Sequence, residues 1–131
     1  MTILVRCSDP RISHFFKQKK YAELFGLVEA DAPIAVTGSI KFFLTKGMDL
    51  LWEQLEILVG HFHPDRIVLT NHTDCGYYKK LGQDDVKYYQ SDLDRVKKAI
   101  EKKYPDLRVD TYIIDTEKQE LLDTSKALVN A

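Results

Sequence analysis

Two residue types with an affinity for soft metals stand close together in "NHTDCGYYKK" (71–80), as His72 and Cys75. The chain holds 2 cysteines, and the other, Cys7, lies far upstream in "TILVRCSDPR". Two thiolates and one imidazole suit Zn²⁺, which takes them in a tetrahedron at about 2.0–2.3 Å. Three protein ligands leave a fourth position for water, the mark of a catalytic rather than a structural zinc. Against this stands plain burial, because cysteine often packs as a small hydrophobe. H-x-x-C alone does not decide between the two. The metal reading requires that Cys7 reach the same place.

A parallel sheet is the element that can bring it there. "TILVR" (2–6), "APIAV" (32–36), "RIVLT" (66–70) and "LRVDTYIID" (107–115) read as strands, the first three as short buried apolar runs. Between them, Ile12, Phe15, Phe16 and Tyr21 suggest a helix from about 10 to 22, with Asp9 as its N-cap and Pro10 in its first turn. Met48, Leu51, Trp52, Leu55, Leu58, Val59 and Phe62 keep helical spacing up to Pro64. Val86, Tyr89, Leu93, Val96, Ile100 and Tyr104 mark another helix over about 85–103. The tail 116–131 reads equally as a hairpin return through "ELLD" or as a short amphipathic helix. The alternation predicts a single three-layer α/β domain over 1–131, with a mostly parallel central sheet of about four to five strands. In such sheets ligands bind beyond the carboxyl ends of the strands. Cys7 ends the first strand, and His72 and Cys75 follow the third, so neighbouring strands would unite them.

Composition narrows the partners. The 131 residues carry 19 basic and 20 acidic side chains for a net charge of -1, which predicts neither nucleic acid nor a membrane surface as partner. No apolar run approaches the ~20 residues that span a bilayer, and the opening apolar stretch is too short for a signal peptide. A cytoplasmic location is expected. In that compartment two cysteines are thiols or metal ligands sooner than a disulfide.

"CSDPR" (7–11) and "HTDCG" (72–76) together resemble the paired signatures C-x-D-x-R and H-x-x-C-G of the β-class carbonic anhydrases. The order of strands and helices around them is similar too, although no helical arm precedes the first motif. The resemblance implies Zn²⁺ held by Cys7, His72 and Cys75, and a catalytic dyad of Asp9 and Arg11. It implies reversible hydration of carbon dioxide to bicarbonate by hydroxide made available on zinc, and a homodimer or higher homo-oligomer. The first turn after "CSDPR" and the "TGSIKFF" loop are expected at or near that interface. Gly76 either offers its backbone N–H to substrate or eases a turn. Arg11, with a planar fork, can hold the Asp9 carboxylate off the metal; a bare helix cap is the competing role for Asp9. The same site would serve a hydrolase of CS2 or COS, and a catalytically silent zinc-binding domain would share its ligands. "VTGSIKFF" stands where these enzymes usually carry Arg-Asn after the second strand, and Tyr77 where a second glycine often follows. Asp74 either braces its loop or caps the next segment. His14 is a proton relay or a surface residue, and His61 and His63 read as structural. Phe42, Phe43, Tyr77 and Tyr78 are either a substrate wall or core.

Overall fold

A computed structural model describes residues 1–27 and 31–122. β1 (Thr2–Cys7) lies inside a five-stranded sheet of order β2-β1-β3-β4-β5. β2 (Asp31–Val36), β3 (Arg66–His72) and β4 (Arg108–Asp115) run parallel to β1 and to one another. β5 (Glu120–Leu121) returns antiparallel along β4, pairing Leu121 with Ile114. The tail therefore begins as the hairpin return rather than the helix, and 123–131 lie outside the described residues.

Successive side chains of a strand point to opposite faces, and this period builds the layers. Ile3, Val5 and Cys7 of β1, with Ile67 and Leu69 of β3, face one core; Leu4 and Val68 face the other. Covering the first face are α3 (Leu50–Phe62) and α5 (Val86–Lys103), through Leu51, Leu55, Leu93, Val96 and Ile100. α1 (Pro10–Phe16) and α2 (Lys19–Leu24) cover the second through Ile12, Phe15 and Tyr21, with Phe25 just beyond. Phe15 and Phe25 are fully buried, each worth about 1.5–3 kcal/mol of hydrophobic stabilisation. The result is the expected three-layer α/β architecture, with β2 as an edge strand that tolerates Pro33.

The helix expected over about 10–22 is two helices. Residues six apart on one straight helix lie about 120° from sharing a face, so Phe15 and Tyr21 could not stack. The chain breaks at Lys17–Gln18, where Gln18 is extended (φ -69°, ψ 124°), and the two rings stack at 4.2 Å. On α3 the long apolar stripe buries only Leu51 and Leu55, while Met48 and Phe62 stay half exposed at 51% and 53%. Two short elements had no counterpart in the sequence reading: a 3-10 turn (Ser39–Phe43) and α4 (Gly76–Lys80). Among the described residues no helix is long and apolar enough to cross a membrane.

Candidate metal centre

Pairing β1 beside β3, with Val5 opposite Leu69, places the ends of both strands together. β1 stops at Cys7, and β3 runs on to His72 before a turn in which Asp74 takes φ 60°. That turn delivers Cys75 as the residue capping α4. The ligand atoms of Cys7, His72 and Cys75 all lie within 4.8 Å of one another, and the three residues are buried. The backbone thus unites the three expected donors at the carboxyl edge of the sheet.

The imidazole is oriented for coordination. His72 Nδ1 lies 2.8 Å from the Thr73 carbonyl oxygen, which can only accept, so Nδ1 carries the proton. Thr116 Oγ1, 3.0 Å from Nδ1, itself donates to the same carbonyl. Nε2 is left with its lone pair, buried and without a hydrogen-bond partner. A buried unpaired acceptor costs about 1–3 kcal/mol, and a metal beside two sulfurs is the partner it fits. This outer hydrogen bond from the far ring nitrogen is the usual way a ligating histidine is fixed.

The two sulfurs share a proton. A hydrogen bond from Cys75, helped by the backbone N–H groups of Gly38 and Asp9, lowers the Cys7 thiol against the cost of burial. The same bond to Cys7, and then burial, push the Cys75 thiol up. A divalent cation between them removes the need for that proton.

Arg11 stands at the mouth. Its Nε lies 3.1 and 3.2 Å from the two Asp9 carboxylate oxygens and its Nη2 lies 2.7 Å from Oδ2. Asp9 Oδ1 also accepts the Arg11 backbone N–H at 2.8 Å, so the helix cap and the ion pair coexist. The other side of the guanidinium reaches the second motif, donating to Asp74 Oδ2 at 2.8 Å and to the Asp74 carbonyl at 3.1 Å. Arg11 hydrogen bonds, first, and its charge hold Asp9 below the usual carboxylate range. Lys79, then Arg11, bring Asp74 to about 2. Asp74 therefore braces the loop.

No family model matches the chain, and no curated protein does either. Solved structures do. The β-carbonic anhydrase CafA of Aspergillus fumigatus superposes with a TM-score of 0.60 at 16% identity, over 98% of this chain and 79% of that one. A carbonic anhydrase of Streptococcus mutans gives 0.56 at 16% identity, over 92% and 79%. That of Glaciozyma antarctica gives 0.52 at 15% identity, over 94% and 80%. The fold is that of the β-carbonic anhydrases.

Within this β-carbonic-anhydrase fold, the loop after β2 carries a residue that motif reading passed over. Gly38 has φ 93°, its N–H points to Cys7 Sγ at 3.5 Å, and a Cβ there would lie 2.9 Å from the Tyr77 ring. Only glycine combines that backbone with that approach. From the sequence, the "TGSIKFF" loop is expected near an interface and in place of Arg-Asn, with no role for the glycine itself. Gly76, by contrast, opens α4 with a negative φ and nothing within 4 Å of a built Cβ. The turn's left-handed residue is Asp74, so Gly76 does not ease it.

Of the four aromatic residues, two are core and two lie nearer the surface. Tyr78 and Phe43 are core, Phe43 against Trp52 at 4.9 Å. Phe42 and Tyr77 pair at 5.2 Å and remain partly exposed. Phe42 and Val36, the register partner of Cys7, line an apolar cavity of about 410 Å³ with Met48, Leu50 and Leu51. His14 is exposed on α1. His61 and His63 are exposed at the far end of the sheet, where His63 (φ 49°) ends α3 by donating its N–H to Val59.

Proposed function

We propose that this chain is a zinc enzyme that hydrates carbon dioxide reversibly to bicarbonate. Cys7, His72 and Cys75 hold the metal, and Asp9 and Arg11 are the catalytic dyad. The observation that carries the reading is His72, with Nε2 buried and unpartnered, in a cluster whose ligand atoms lie within 4.8 Å of one another and include the two thiols. Zinc so held supplies a Lewis acid that makes water acidic near neutral pH.

The chain's own residues do the rest. Two thiolates offset the cation's charge, so the acidifying effect is weaker than with three imidazoles and activity grows toward alkaline pH. Arg11 engages both Asp9 oxygens and so would keep the carboxylate from ligating a bound metal. Ionised, it accepts a hydrogen bond from the reacting water and orients it. The apolar cavity beside Val36 and Phe42 suits a small nonpolar substrate, and the bare backbone of Gly76 leaves room for bicarbonate at the mouth.

A homodimer or higher assembly fits the same reading, because the β2 edge and the half-exposed Met48 and Leu50 adjoin this cavity. Sedimentation at micromolar concentration is expected to show a dimer or larger, and a monomer refutes it. The two buried free thiols suit a reducing compartment such as the cytoplasm. The deciding experiment is elemental analysis with CO2 hydration rates across pH. One zinc per chain and a rate rising with pH are expected. Hydrolysis of CS2 or COS without CO2 hydration would move the substrate, and zinc with neither activity would leave a silent zinc domain.

A further inference from the structure

The turn that presents Cys75 is held by residues outside both motifs. Asp74 sits at φ 60°, a region that L side chains rarely adopt, and Cys75 follows this bend to face Cys7 and His72. The Asp74 N–H donates to Asp84 Oδ1 at 3.2 Å. That same oxygen accepts the phenol O–H of Tyr89. With its proton committed there, the Tyr89 oxygen has lone pairs free, and the Cys75 N–H donates to it at 3.4 Å. Two consecutive N–H groups of the metal loop thus end on one connected pair of side chains.

The pair is itself anchored. Tyr89 is 1% exposed on α5, its ring 4.6 Å from that of Tyr78. Asp85 caps α5 through the Lys87 N–H at 3.1 Å, which fixes the backbone beside Asp84.

We propose that Tyr89 and Asp84 are a positioning pair for the metal centre, holding the Asp74–Cys75 backbone so that the Cys75 sulfur meets the other two donors. The proposal rests on the zinc reading for the identity of the cation, but the clamp itself does not need one. Neither residue touches the cation, so their effect is on how long it is held.

The test uses Tyr89→Phe, which keeps the ring and loses the hydroxyl, and Asp84→Ala. Zn²⁺ release to an excess of chromogenic chelator is expected to quicken about 10–100-fold in each, the usual effect of losing an outer partner. The double variant should match the singles, because both cut one chain of hydrogen bonds. Asp84→Asn, whose amide oxygen still accepts, should restore slow release. The Co²⁺ ligand-field bands should shift in the first two variants and not in Asp84→Asn. Ile100→Val, buried on α5 away from the loop, should lower stability without changing release. Release within about twofold of the parent in both single variants overturns the proposal, as does an equal acceleration in Ile100→Val. Amide exchange at Asp74 and Cys75 in metal-free protein, faster in Tyr89→Phe and Asp84→Ala, decides the clamp separately. If the parent protein holds neither Zn²⁺ nor Co²⁺, the zinc reading fails, and unchanged exchange then removes the clamp as well.

Discussion

Replacing Arg11 with alanine should separate activity from stability and from metal content. The side chain is 46% exposed, and its partner carboxylate on Asp9 is 16% exposed. A pair this close to solvent contributes about 0.2–1 kcal/mol to folding, so the variant should fold with a small loss in Tm. Arg11 has no acceptor atom and cannot be a ligand, so zinc content should stay at the parent level. What disappears is every side-chain hydrogen bond that Arg11 makes to Asp9, leaving only the backbone N–H on Oδ1. If Asp9 orients the reacting water, its loss of register should cost about 10²–10⁴-fold in rate, or about 3–5 kcal/mol of barrier. The predicted effect on catalysis is thus several times that on folding. Stopped-flow CO2 hydration, thermal unfolding and X-ray absorption at the zinc edge measure the three quantities. Absorption should show the freed carboxylate as an extra oxygen ligand in Arg11→Ala. Asp9→Asn should lose activity with solvent still in that position, since a neutral amide is a poor ligand. Near-parental activity in Arg11→Ala would reduce Asp9 and Arg11 to a helix cap and its neighbour.

Other outcomes follow from the same geometry. Because the bond between the two sulfurs lowers the Cys7 thiol and raises the Cys75 thiol, zinc binding near pH 7 should release fewer protons than the two that separate thiols would give. Calorimetry in buffers of different ionisation enthalpy reads this directly, and two protons would refute the shared-proton pair. Gly38→Ala should lose about 1–2 kcal/mol from its left-handed backbone alone, with a further loss from the Tyr77 contact; Tyr77→Ala in addition should recover only the second part by urea unfolding. Asp9 and Asp74 both have folded-state pKa values below 3.8. Between the folded and unfolded values the unfolded chain holds more protons, so this stability is present above 3.8 and is lost as pH falls toward about 2. Urea midpoints over that window should fall less steeply in Arg11→Ala, and an unchanged slope would refute the linkage.

β1 and β3 were legible because each is a short apolar run ended by a turn, and β-branched residues buried on two faces leave that trace. The edge strand β2 buries only Ile34, and β4 mixes polar residues among its apolar ones. The three donors and the Asp9–Arg11 pair were legible through their types and their places at strand ends. Other features depend on distant partners and leave no local pattern. The break at Gln18 arises because Phe15 and Tyr21 must stack on the same patch of sheet, which helical spacing alone cannot reveal. Gly38 is specified by the Tyr77 ring and the Cys7 sulfur, neither of them nearby in sequence. Thr116 supports His72 from beyond β4, and Tyr89 and Asp84 reach the loop from the start of α5. In each case the sequence neighbours are unremarkable polar residues, and the constraint is visible only once β1, β3 and β4 lie side by side.

The adjacency of β1 and β3 also sets an order of events during folding. Between Cys7 and His72 runs a stretch containing α1, α2, β2 and α3, and closing a loop that long comes late, because its entropy must be overcome before non-local pairs form. Until β1 and β3 have paired, the nascent chain offers a cation only the local His72 and Cys75, a bidentate hold that competing cellular thiols can strip. If the chain holds zinc as proposed, the third donor would arrive when the first strand docks. A cation then captured binds only the paired state and deepens it in proportion to its free concentration, so metal supply would act as a latch on the slowest part of assembly.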